Sequence, residues 1–255
     1  MTRDLTISAR PTASASAARL VTTARWLFGR LVNIGKWFVA IAAVGFVLVP
    51  PLVNAFGGRL EISIWEMFAT NGPGWFSLAM GATLVANYLT VVVAQGVTRG
   101  RYALASALAI VVFAALLAVF VWLGYVLEAT YFRQFEWTHA LLGEHLFTNV
   151  SQVLQVTVEY AARHTLFAFV GLIVGYGYYR VGGVWGTILL PLTLVLPLAA
   201  GIVILGLPGM TALLTFGGIV GATPTGALLL LPYFVLLIIA GRYLLSTVPI
   251  RTKTG

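Results

Sequence analysis

Cysteine is absent from the 255 residues, which excludes a disulfide framework, a thiolate zinc site and a cysteine nucleophile. Charge is scarce as well: 9% of residues are charged against 60% hydrophobic. A soluble domain carries about 25% charged residues, so this surface is not built to face water. Acidic side chains are the rarest class, with seven against fifteen basic ones. No Asp or Glu lies near the middle of a long apolar run. A carrier driven by protons needs an ionisable group at that depth, so that class loses support. Walker, paired-glycine dinucleotide and His-Glu-x-x-His patterns are missing too. The chain is therefore expected to hold no cofactor, no metal and no catalytic motif of its own.

What remains is a series of long apolar runs. A membrane helix needs about 20 mainly apolar residues, and six segments qualify: 37–56, 75–96, 102–127, 148–180, 184–205 and 226–246. The expected fold is all-α: a polytopic membrane protein of six spans. Its single transmembrane domain covers residues 17–250, between a disordered tail at 1–16 and a short tail at 251–255. The Pro50-Pro51 pair would kink the outer end of the first span. Of the 15 basic residues, 12 fall on one predicted side, while 6 of the 7 acids fall on the other. Cytoplasmic loops carry the excess of Lys and Arg, so both termini are expected in the cytoplasm. The net charge of +8 is spread beside the spans rather than gathered in one basic domain. Anionic headgroups, not nucleic acid, are the expected partners. Thirteen Arg against two Lys hint at a bacterial source and a bacterial cytoplasmic membrane. The 36 residues before the first span, six of them basic, read as the flank of a retained anchor.

Three connecting regions stand out. From Ala17 to Trp37, Leu20, Ala24, Leu27, Leu31 and Ile34 line one helical face. Arg19, Arg30, Asn33 and Lys36 fill the rest, which predicts an amphipathic helix in the cytoplasmic interface. Between the second and third spans lies a compact basic turn, Gln95 to Arg101, with two glycines. Gly206 to Thr225 is uncharged and broken by five glycines and two prolines. Such backbone is tolerated near membrane depth only where protein or a water-filled cavity receives it. Short re-entrant or outer helices are expected there.

Few residues could carry chemistry. Glu159 and Arg163 are four apart and face each other on a helix. Arg163 precedes Arg180 by 17 residues, about 25 Å at helical rise, so the pair is expected at the outer edge of the hydrocarbon. His139, His145 and His164 lie on the same side, His139 and His145 in what reads as a solvated loop. Gly171-x-x-x-Gly175, with Gly177 beyond it, suits close helix packing.

With Ala17–Trp37, Gly96–Arg101 and Gly206–Thr225 in this order on a six-span frame, the chain resembles the permease subunit of a type 2 ABC exporter. The Gly96-Val-Thr-Arg-Gly-Arg101 turn is similar to basic turns of actinobacterial members. The outer stretch Glu128 to Thr148 is longer than a minimal member needs. The resemblance implies a separate ABC ATPase subunit and a second permease copy or paralogue as partners. It also implies an ATPase-coupling surface that includes Thr98, Arg99, Gly100 and Arg101 of the turn, with Arg25 and Arg30 of the preceding helix. The leading rival is an intramembrane enzyme built on Glu159, Arg163 and His164. Against it, residue 160 is Tyr where adjacent glutamates would be wanted, and no Gly-x-Ser-x-Gly turn is present. A third class is a non-transporting assembly or immunity protein.

Overall fold

The computed structural model describes residues 13–137, 141, 145–205 and 224–246. These residues form helices and turns, with no strand among them. Helix α1 spans Ala13–Ala55, and α2, Ile64–Thr83, continues through a π-helical turn, Leu84–Tyr88, into α3, Leu89–Ala94. Then come α4, Arg99–Gln134, α5, Val153–Val181, and α6, Gly183–Ile188. A second π-helical turn, Pro191–Val195, leads into α7, Leu196–Leu205, and α8 covers Pro224–Ser246.

Four helical stretches are long and apolar enough to cross a membrane: α1, α2 with α3, α4 and α5. The segment expected as a fifth span is divided among α6, the second π turn and α7, and the sixth falls on α8. Residues 1–12, 138–140, 142–144, 206–223 and 247–255 lie outside the described residues, and with them nearly all of the expected re-entrant stretch and the C-terminal tail; of the expected N-terminal tail, residues 13–16 belong to α1 and the rest lie outside.

Helix α5 is the central pillar. In its most apolar window 83% of residues are buried, against 11% in that of α1. Two glycines allow α2 to lie directly on it. A Cβ on Gly81 would come 2.0 Å from the Ala168 carbonyl oxygen, and one on Gly171 would come 2.0 Å from that of Leu78. Gly175 adds a third close approach, to Val85. The small-residue spacing of α5 thus serves backbone-to-backbone packing, the dominant association mode where lipid is as apolar as leucine. Helices α4 and α8 cover other faces of α5, and α1 packs along α4. Ile41, Val44, Leu48 and Leu52 of α1 point away from the bundle and are exposed.

Two sequence expectations need correcting here. The interfacial helix and the first span are one unbroken helix of 43 residues, about 65 Å long, where the hydrocarbon measures about 30 Å. No residue between Lys36 and Phe46 stops it, and Gly35 persists because the Phe113 ring fills the space beside it. The amphipathic stripe is covered by protein rather than by headgroups. Ala24, Leu27 and Leu31 are buried in the same core as Tyr102, Ala103 and Ile110 of α4, with Leu20 and Ile34 at its margin. The second helix also starts earlier than expected, at Ile64 instead of Trp75. Ser63 caps it by accepting from the Glu66 backbone N–H at 2.9 Å, and Pro73 is carried inside the helix.

Candidate functional site

The antiparallel helices sort the charged residues to opposite ends. At one end the α1–α2 turn meets the α4–α5 connection, and four described acids gather there or close by: Glu61, Glu66, Glu128 and Glu136. Glu159 reaches the same place from the second turn of α5. At the other end are the start of α1, the α3–α4 turn, the end of α5 and the last turns of α8, with Arg19, Arg99, Arg101, Arg180 and Arg242.

The acidic end is a connected polar network. Glu128, 1% exposed, accepts from the Ser63 hydroxyl and from the Trp65 backbone N–H at 2.9 Å. A carboxylate on the first N–H groups of α2 also meets the positive end of that helix. Trp65 in turn donates its indole N–H to the Val121 carbonyl at 2.7 Å. The centre of the network is His145, whose side chain is 2% exposed. Its Nε2 lies 2.9 Å from Glu66 Oε1 and its Nδ1 2.8 Å from Glu159 Oε1. The other Glu159 oxygen accepts from the Leu146 backbone N–H at 2.9 Å.

Ionised carboxylates only accept hydrogen bonds. Between two ionised carboxylates, a doubly protonated His145 donates from both ring nitrogens. Burial alone would push its pKa down. The bonds to Glu159 and Glu66 outweigh that and raise it from 6.5 to about 9. His145 also stacks on Phe147, with ring centroids 4.6 Å apart. Below it, the Tyr125 and Tyr160 hydroxyls are 2.6 Å apart. Arg163 is fully buried one turn from Glu159, its guanidinium 5.7 Å from the Tyr160 ring centroid. His164 is fully buried beside it, and neither ring nitrogen has a hydrogen-bond partner among the described residues.

Glu159 and Arg163, expected at the outer edge of the hydrocarbon, are thus buried inside the bundle at that end. The structure adds Glu66, Glu128, His145, Tyr125 and Tyr160 to them. His145 is not in a solvated loop: its partners from α2 and α5 enclose it. His139 and Glu144 lie outside the described residues. The Ser63-x-x-Glu66 spacing, a capping-box signature, was the one sequence signal for part of this network. Nothing local marked His145, because its partners are 79 and 14 residues away.

The basic end is built around the α3–α4 turn. Gly96 takes φ +84°, a conformation that costs glycine little. It lets the Gly96 and Val97 N–H groups close back on the Val93 and Val92 carbonyls. Thr98 then caps α4, its hydroxyl 3.4 Å from the Arg101 backbone N–H. The Arg101 guanidinium donates to the Ser16 hydroxyl of α1 at 3.0 Å. Arg242 of α8 approaches Gly100, its nearest guanidinium nitrogen 3.6 Å from where a Cβ there would lie. Thr98, Gly100 and Arg101 therefore meet α1 and α8 in one open cleft, also lined by Ala17, Leu20 and Leu104. Arg25 and Arg30 do not join it. They line a separate cleft on α1 with Thr22, Trp26, Gly29 and Asn33, Arg30 resting 4.9 Å from the Trp26 ring centroid. Arg242 is the member of the first cleft that sequence reasoning passed over as an orientation signal.

Comparison of the chain with protein-family models, curated proteins and solved structures returns no match.

Proposed function

We propose that this chain is the membrane-spanning permease subunit of an ATP-driven exporter, working with a separate ATPase subunit. One observation carries the reading: the N-terminal part of α1, the short basic α3–α4 turn and α8 meet at one end, where Arg101 is bonded to Ser16. A turn capped by Thr98 and tied to two other helices is a stiff lever. A motor pushing on it would move α4 and α1 together. On this reading the basic end faces the cytoplasm, as the excess of Arg predicts. Helices α6–α7 and α8 would supply the fifth and sixth spans, and two permease chains would face each other across the path of a lipid-like or amphipathic cargo. The chain carries no nucleotide motif, so ATP must be handled by the partner. Reversing the charge of the turn, Arg99→Glu with Arg101→Glu, should abolish copurification of an ATP-binding-cassette ATPase from the native membrane. Unchanged copurification would remove the turn from the contact.

The polar network at the opposite end supports a second reading, a membrane enzyme. His164 has two nitrogens without hydrogen-bond partners beside Arg163, and Glu159 and Glu66 flank His145. Imidazole and carboxylate together can transfer protons to and from a reacting group. Alanine at His164 or Glu159 should then slow turnover of lipid or peptide substrates at least about 100-fold. Turnover unaffected in both variants would leave the network a structural role.

A further inference from the structure

The cleft between α1, α4 and α8 has a composition the permease reading does not use. Its volume is about 450 Å³. Its lining combines Arg101 and Arg242, the hydroxyl-bearing Ser16 and Thr98, and the apolar Ala17, Leu20 and Leu104. Every described acid lies at or near the far end of the bundle, and the remaining acid on this flank of the sequence is Asp4, outside the described residues. Two arginines from different helices thus converge where the described chain offers no carboxylate. Guanidinium groups match phosphate oxygens in planar, paired hydrogen bonds. The apolar residues of the same lining suit the glycerol and first methylenes of a lipid rather than a free ion. Four helices apolar enough to cross a membrane would bring anionic headgroups close to their ends.

We infer that this cleft is a binding site for the phosphate headgroup of an anionic phospholipid, held by Arg101 and Arg242 across α4 and α8. Ser16 and Thr98 add their hydroxyls to the lining. Because Arg101 already bonds to α1, a phosphate shared with Arg242 would lock three helices at this end. The second arginine cleft is a weaker candidate, since α1 alone forms it.

The test uses the purified full chain without any ATPase, so it stands or falls apart from the permease reading. Native mass spectrometry counts adducts with phosphatidylglycerol, phosphatidylcholine and inorganic phosphate. Phosphatidylglycerol should be retained and phosphatidylcholine lost. A juxtamembrane arginine contributes about fivefold to binding an anionic surface, so Arg101→Gln with Arg242→Gln should weaken phosphatidylglycerol binding about 25-fold. Arg25→Gln with Arg30→Gln removes the same charge elsewhere and should leave it within about twofold. Equal weakening in both double variants would show attraction by overall charge and overturn the site. Displacement of the lipid by millimolar inorganic phosphate would make it an ion site and overturn the lipid assignment. Arg242 is exposed, so Arg242→Gln alone keeps the fold and must still cost about fivefold.

Discussion

His145 joins the α4–α5 connection to two helices through two charged hydrogen bonds. Replacing it with Ala leaves two buried carboxylates without the imidazolium between them. Breaking a buried ionic arrangement by removing one partner costs about 3–5 kcal/mol, and thermal unfolding in detergent should register a loss of that order. The pH dependence has a definite sign. The imidazole pKa is raised in the folded state from 6.5 to about 9. Its contribution is therefore complete below pH 6.5 and is lost as pH rises through about 9. The gap between the native chain and His145→Ala should narrow over that window. A gap that stays constant from pH 6 to 10 would show that His145 acts by packing alone. This residue was illegible in the sequence, since a lone His beside Glu144 gives no sign of carboxylates on distant helices. The four-residue spacing of Glu159 and Arg163 on one helix was legible because helical spacing is local; their burial depended on what α2 and α4 bring, which is not.

At the scale of elements, the α2–α5 contact sets the packing of the bundle. Gly171 was visible as part of a small-residue motif, and the structure gives it a partner in Gly81, spaced to receive the opposite backbone. Gly171→Val should force the helices apart, at a cost of about 1–3 kcal/mol, read as a lower unfolding temperature. Gly45→Val on α1, where a Cβ meets nothing within 4 Å, should leave that temperature unchanged. Apolar length made the first four long helices readable but not their ends, and it did not reveal the division of the expected fifth span. The stripe on α1 reads equally well as membrane-facing or protein-facing, because periodicity states that a face is apolar and not what covers it. Only the position of α4 decides that Leu27 and Leu31 are core. The early start of α2 was open to the Ser63 cap and concealed by polar residues such as Asn71 that interrupt its apolar run.

For the whole molecule, the distribution of charge is the organising fact. At the acidic end the carboxylates of Glu66, Glu128 and Glu159 are turned inward and held by Ser63, Trp65, His145 and Leu146, while Glu61 and Glu136 are exposed. The basic end is open, with Arg242 exposed and Arg101 half-buried at a cleft. An open basic end is where the proposed lipid and motor contacts would be made. The sequence carried this polarity plainly, because charge counts between apolar runs need no tertiary information.

On the proposed function, an ATPase drives this chain through its α3–α4 turn. The most direct measurement is ATP hydrolysis by the complex copurified from native membranes and reconstituted in proteoliposomes, compared with that of the Arg99→Glu, Arg101→Glu variant. Vanadate-sensitive hydrolysis should accompany the native chain and be absent with the variant. A native chain that purifies without any ATPase and shows no hydrolysis, while folded and membrane-inserted, would contradict it.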